Sequence, residues 1–162
     1  MNLMLLRHGK SDWDAGARTD FDRPLAPRGV RSAERMGEVL RDLDLVPDLV
    51  ISSTATRARS TAELARITGG WDSRLVLEHN LYGASVVDTL SVAEEYGAAH
   101  DRIMLVGHEP TWSLAVHHFT GARVAMRTAT CADIELDTVR WENLLSTSGA
   151  LVTLLQPRHF LR

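Results

Sequence analysis

Leu3-Met4-Leu5-Leu6-Arg7-His8-Gly9-Lys10-Ser11 begins with an unbroken apolar run and passes directly into a polar turn. Continuous rather than alternating hydrophobicity marks a strand covered on both faces, the pattern of parallel sheets in α/β proteins. Asp48-Leu49-Val50-Ile51-Ser52 and Ile103-Met104-Leu105-Val106 repeat it, and each again ends in a polar turn. Helical periodicity lies between them. Pro27 opens a segment with an apolar stripe at Val30, Ala33, Met36, Gly37 and Leu40. A second stripe, Ala58, Thr61, Ala62 and Ala65, stops at Gly69-Gly70. Leu75-Val76-Leu77 reads as a short strand, Val86 to Ala98 as a helix, and Pro110 to about Gly121 as another. Ala132 to Leu136 and Leu151 to Leu155 read as later strands. This alternation predicts an α/β fold and leaves the strand order open.

At 162 residues, the chain fits one domain, residues 1–162, and is long enough to bury a full core. A net charge of −3 supplies no overall basic field for nucleic acid or an anionic membrane, and neither is expected as a partner. Cys131 is the single cysteine, so no internal disulfide forms, and it reads as a small buried apolar residue. The apolar start, Met1 to Leu6, is too short for a signal peptide or a membrane span. The expected location is cytoplasmic.

Three strand ends carry polar residues that packing does not require. They are Arg7-His8-Gly9 after the first strand, Ser52-Ser53-Thr54-Ala55-Thr56-Arg57-Ala58 after the second, and Gly107-His108-Glu109-Pro110 after the strand at 103–106. Ligands of open α/β sheets bind beyond the carboxyl ends of strands. If these strands are parallel neighbours, Arg7, His8, Arg57 and His108 converge. Two guanidinium forks can neutralise a phosphate dianion, and helix starts near Ala55 and Glu109 would add backbone donors. Gly9 would permit close approach of a ligand or a positive φ. A neutral imidazole in such a pocket is a competent nucleophile toward phosphorus, the second histidine can donate a hydrogen bond to developing charge, and His8 at its strand end is expected to face the surface.

These segments resemble the motifs of the histidine phosphatase superfamily. Arg7-His8-Gly9 resembles its RHG signature, residues 53–58 its S-P-x-x-R-A segment with Thr54 in place of the proline, and Gly107-His108 its late G-H motif. Arg57 and His108 follow His8 by 49 and 100 residues, as in compact members. Arg23-Pro24-Leu25 and the near-absence of inserted loops resemble the SixA-type phosphohistidine phosphatases in particular. The resemblance implies a three-layer α/β/α sandwich with a mostly parallel central sheet, phosphoglycerate-mutase-like. It implies a phosphatase in which His8 carries the phosphoryl group, Arg7 and Arg57 bind its oxygens, and His108 assists the transition state. Arg23 matches a basic residue lining the pocket of that group.

Ser11 is a further candidate for reaching the phosphate. Many relatives use a carboxylate general acid, for which Glu78 and Glu109 are the candidates here. The expected substrate is a phosphohistidine-bearing protein, with a small phosphate ester as the alternative. No cofactor or metal is expected. His108-Glu109-Pro110-Thr111-Trp112 begins like H-E-x-x-H but has Trp112 where the second histidine belongs, and no glycine-rich nucleotide loop is present. Trp13 and Trp112 are read as core or rim packing.

Overall fold

The structure is a computed structural model that describes residues 1–161. All six strands lie in one sheet: β1 (Asn2–Arg7), β2 (Leu49–Ser53), β3 (Arg74–Glu78), β4 (Arg102–Gly107), β5 (Cys131–Leu136) and β6 (Gly149–Leu155). Their order is β3-β2-β4-β1-β5-β6. The first four are mutually parallel; beyond β1, β5 pairs antiparallel with β1 and β6 antiparallel with β5.

Alternation along the central strands sends successive side chains to opposite faces. Leu3, Leu5, Leu49, Ile51, Ile103 and Leu105 pack on α3 (Val86–Gly97) and α4 (Thr111–Thr120). Met4, Leu6, Val50, Met104 and Val106 face α1 (Pro27–Asp42) and α2 (Thr56–Gly69). Every one of these strand residues is almost completely buried. The result is the expected three-layer α/β/α sandwich. Trp112 and Cys131 are fully buried core residues, and burial pushes the Cys131 thiol pKa well up. Along α1 the buried stripe includes Gly29 and Ser32, while Val30 sits only at its edge.

Helix punctuation follows the sequence. Pro27 occupies the first turn of α1, and Gly70 and Gly121 end α2 and α4 in the left-handed conformation. Ser85 and Asp88 form a reciprocal capping box on α3. Among the described residues, no helix is long and apolar enough to cross a membrane.

Two glycines position the site. A Cβ on Gly9 would stand 2.7 Å from the Gly29 carbonyl, so the loop after β1 can seat against the start of α1 only with glycine there. The sequence reading of Gly9 needs correction, because its near neighbour is protein backbone and its φ is not positive. A Cβ on Gly107 would meet the Trp112 ring at 2.7 Å, which holds the end of β4 close to α4.

Candidate active site

β4 lies between β1 and β2, with Leu6 beside Val106 and Val106 beside Ser52, so three strand ends share one rim. Arg7, His8, Arg57 and His108 therefore converge. They line a cleft of about 300 Å³ together with Ser11, Arg23 and Glu109. Lys10, Trp13 and Thr128 complete its walls.

His8 lies at the bottom and is only 7% exposed, which corrects the expectation of a surface-facing ring. The loop from Gly9 to Pro24 folds back over the strand end and covers it: the Asp12 N–H donates to the Pro24 carbonyl, and the Thr56 N–H to the Phe21 carbonyl. The tautomer of His8 follows from its partners. Nδ1 is 2.7 Å from the Gly9 carbonyl, which can only accept, so Nδ1 carries the proton. Nε2 is 3.2 Å from Arg57 Nε, which can only donate, so Nε2 presents a lone pair. The Gly9 N–H donates to Thr61 Oγ1, which in turn donates to the Arg57 carbonyl, tying nucleophile loop to arginine helix.

His108 stands with its ring centroid 5.2 Å from that of His8. Its Nε2 is 2.9 Å from Ser53 Oγ, and its Nδ1 faces Arg57 Nη2 at 3.5 Å. By the same donor logic the proton sits on Nε2. Ser53, at the end of β2, has no role that its motif discloses; in the structure it fixes this ring.

Arg7 reaches back to donate to the Met126 carbonyl at 2.8 Å, leaving its buried Nε without a partner among the described residues. Arg23 is buried, with Nε and Nη1 likewise unpartnered, and its guanidinium lies 3.5 Å over the Trp13 ring. Trp13 is thus a rim residue, 71% exposed. These idle donors suit an incoming anion.

Sequence reasoning missed Asp20. Its carboxylate accepts from Arg57 Nη2 at 2.9 Å, from Arg23 Nη2 at 2.6 Å and from the Tyr82 hydroxyl at 3.0 Å, and its carbonyl accepts from Arg57 Nη1 at 2.6 Å. It fixes both guanidinium forks in place. Burial alone would raise its pKa, but the Tyr82 hydrogen bond and the Arg57 charge bring it below the usual carboxylate range. The one sequence signal was its i,i+3 spacing from Arg23, slight in a loop without periodicity.

Three other expectations change. Glu78 does not line the cleft, because two strands, β2 and β4, separate β3 from β1; its carboxylate accepts instead from the Asn80 N–H and the Tyr96 hydroxyl, each at 3.0 Å. Glu109 does line the cleft, yet both its oxygens accept from Ser113, N–H at 3.0 Å and Oγ at 2.7 Å, capping α4. The helix starts also serve protein acceptors at Thr56 and Ser113, so those two N–H groups are already used. Ser11 is buried on the cleft wall. Among the described residues, no three His, Cys, Asp or Glu side chains cluster as metal ligands would.

Burial is the main cause that pulls the His8 pKa down to about 3, with His108, Arg57 and Arg7 adding to it and the Gly9 carbonyl opposing. His108 is brought down to about 4 by burial and then by Arg57, with Asp20 opposing. Both folded values lie below the ordinary 6.5, so the unfolded chain takes up these protons first as pH falls. The associated stability is complete above pH 6.5 and is lost as pH drops toward 4 and 3. The melting temperature should fall through that window. kcat/KM, corrected for substrate ionisation, should lose activity only below about pH 5, because it reports the free enzyme. An acid limb centred on 6.5 would contradict the burial of these rings.

The family profile of the histidine phosphatase superfamily (branch 1) matches residues 3–81. A crystal structure from Agrobacterium tumefaciens, assigned as the phosphohistidine phosphatase SixA, superposes with a TM-score of 0.82 and 27% identity over 96% of this chain and 97% of that one. A second from Nakamurella multipartitia, also assigned as SixA, gives 0.83 and 28% over 96% and 95%. An uncharacterized protein of Mycobacterium tuberculosis is 41% identical over 127 residues, 75% of this chain and 77% of its own.

Proposed function

The chain belongs to the histidine phosphatase superfamily, is SixA-like, and on that footing we propose that it removes phosphoryl groups from phosphohistidine in proteins through an intermediate on His8. Members of this superfamily are phosphatases. The observation that carries the finer reading is the fixed neutral tautomer of His8, whose Nε2 lone pair sits at the bottom of an arginine-lined cleft. Residues 1–162 act as one catalytic domain in the cytoplasm.

In the first step Nε2 attacks phosphorus in line. The N–P bond of the substrate breaks as the bond to His8 forms, and the bonding pair leaves with the substrate imidazole. Arg57 must turn its Nε from His8 to a phosphoryl oxygen at this moment, while Arg7 and Arg23 offer their unpartnered donors. Three guanidinium groups supply the positive charge the transition state requires. His108 lies beside the same group, and the bound dianion draws a second proton onto its Nδ1, opposing burial. In the second step water attacks phosphorus, the His8–P bond breaks with its electron pair returning to Nε2, and the proton lost by water goes to the departing phosphate.

The state of Glu109 bears on the substrate. Its oxygens are engaged by Ser113 and Glu78 is remote, so no free carboxylic acid stands ready to protonate a leaving oxygen. A phosphorylated imidazole protonated at its other ring nitrogen departs as a neutral base and needs no such help. An activated aryl phosphate is similarly undemanding. Alkyl esters need the proton, and a placed general acid typically contributes ~10²–10⁴-fold.

kcat/KM for a phosphohistidine peptide and for p-nitrophenyl phosphate should therefore exceed that for an alkyl phosphate by about 10²-fold or more. Glu109→Gln should leave phosphohistidine cleavage within about threefold, and the same rates should persist in excess chelator. Comparable kcat/KM for alkyl phosphate and phosphohistidine would favour the alternative, a small-molecule phosphomonoesterase. Loss of activity in chelator, restored by an added metal, would overturn metal independence.

A further inference from the structure

Beside the active-site cleft lies a second cleft of about 290 Å³, and the two share Lys10 and Thr128 as a common wall. Four cations line it, Lys10, Arg28, Arg127 and Arg158, and among the described residues no acidic side chain does. They come from four separated segments: the loop after β1, the first turn of α1, the turn before β5, and the turn after β6. Among the described residues, none of the four is in a salt bridge, although the chain as a whole is net −3.

This arrangement works against stability. Like charges around one cleft repel, and Arg28 stands in the first turn of α1, where no acid is present and the helix dipole disfavours a cation. An anion brought from outside relieves both. All four side chains are exposed, and among the described residues the one partner of their charged groups is His159, which accepts from Arg158 Nε at 3.2 Å. A site for one small anion holds its ligands buried and oriented. Dispersed exposed cations instead reward a surface carrying several negative charges.

We infer that this cleft docks an acidic segment of the phosphoprotein whose phosphoryl group enters the neighbouring active site. The inference rests on the phosphoprotein reading above. Lys10, on the shared wall, joins the two: the segment that seats against Arg28, Arg127 and Arg158 presents its phosphohistidine across Lys10 toward His8.

The test uses two synthetic phosphohistidine peptides, identical except that one has three flanking Asp or Glu residues and the other Asn or Gln. p-Nitrophenyl phosphate serves as the small control. The wild type should prefer the acidic peptide by about tenfold or more in kcat/KM at low salt, mainly through KM, and the preference should fade near ~0.5 M salt. The R28A/R127A/R158A variant should lose that preference while keeping its p-nitrophenyl phosphate kcat/KM within about twofold. Arg127→Glu alone should reduce the preference without touching the other two positions.

Equal cleavage of the two peptides by the wild type would overturn the docking inference and leave the phosphohistidine reading standing. So would a preference that survives in the triple variant, or an equal loss on p-nitrophenyl phosphate. Cleavage of neither peptide, with p-nitrophenyl phosphate still turned over, would remove the phosphohistidine reading and the docking site with it.

Discussion

Replacing His8 with alanine is expected to lower kcat by at least about 10⁴-fold on every substrate, because no second group can take over covalent transfer. The neighbouring imidazole of His108 has its lone pair on Nδ1, onto which the bound dianion draws a proton, so it does not offer a substitute nucleophile to the same phosphorus. The variant should fold, at a cost. His8 is buried, and its removal leaves the Gly9 carbonyl without a donor and Arg57 Nε without an acceptor, about 1–3 kcal/mol in sum. Its stability should also vary less with pH below the ordinary histidine range, since one of the two buried neutral rings is gone. Steady-state kinetics and pH-dependent melting check both halves. Residual kcat within tenfold of wild type would remove His8 from the chemistry.

Arg57→Ala is expected to lower kcat/KM by about 10³-fold or more, the scale on which removal of an arginine from a phosphoryl transition state is felt. Arg57 touches every part of the site: Nε reaches His8, Nη1 and Nη2 reach Asp20, and Nη2 also faces His108. Its loss therefore removes a phosphate ligand and the clamp on the loop from Gly9 to Pro24 together. Arg57→Lys should recover only a small part, because a point charge cannot hold two phosphoryl oxygens and Asp20 at once. The pH profile separates chemistry from structure. Arg57 is among the charges that depress both histidines, so the acid limb should move upward in the alanine variant. A rate loss with an unshifted acid limb would make Arg57 a loop anchor alone.

Much of this site was legible because its residues sit at punctuation marks. Apolar runs that end abruptly in Arg7-His8-Gly9, Ser53 to Arg57 and Gly107-His108 declare strand ends, and Pro27, Gly70 and Gly121 declare helix limits. Such signals are local in sequence, and so they survive without a structure. The order β3-β2-β4-β1-β5-β6 was not legible, since a run buried on both faces carries no information about its neighbours. That order is what separates the two candidate acids. It leaves Glu78 at the end of an edge strand and sets Glu109 on the cleft wall, where Ser113 claims it. Asp20 lay hidden for a different reason. Its three partners, Arg23, Arg57 and Tyr82, are brought to it by an irregular loop, and a loop has no period from which a side-chain direction could be read.

The geometry of His8 leaves one nitrogen unprotonated, and trapping the intermediate tests that directly. Enzyme mixed with phosphohistidine peptide and quenched within milliseconds under alkaline, acid-free conditions should carry one phosphoryl group on His8, bonded to Nε2. Peptide mapping by mass spectrometry locates the residue, and ³¹P NMR of the digest distinguishes the two ring nitrogens. Phosphate on Nε2 of His8, absent from the His8→Ala protein, is the outcome this account predicts. Phosphate on His108, Ser11 or Cys131, on Nδ1 of His8, or on no residue at all while turnover continues, would contradict it.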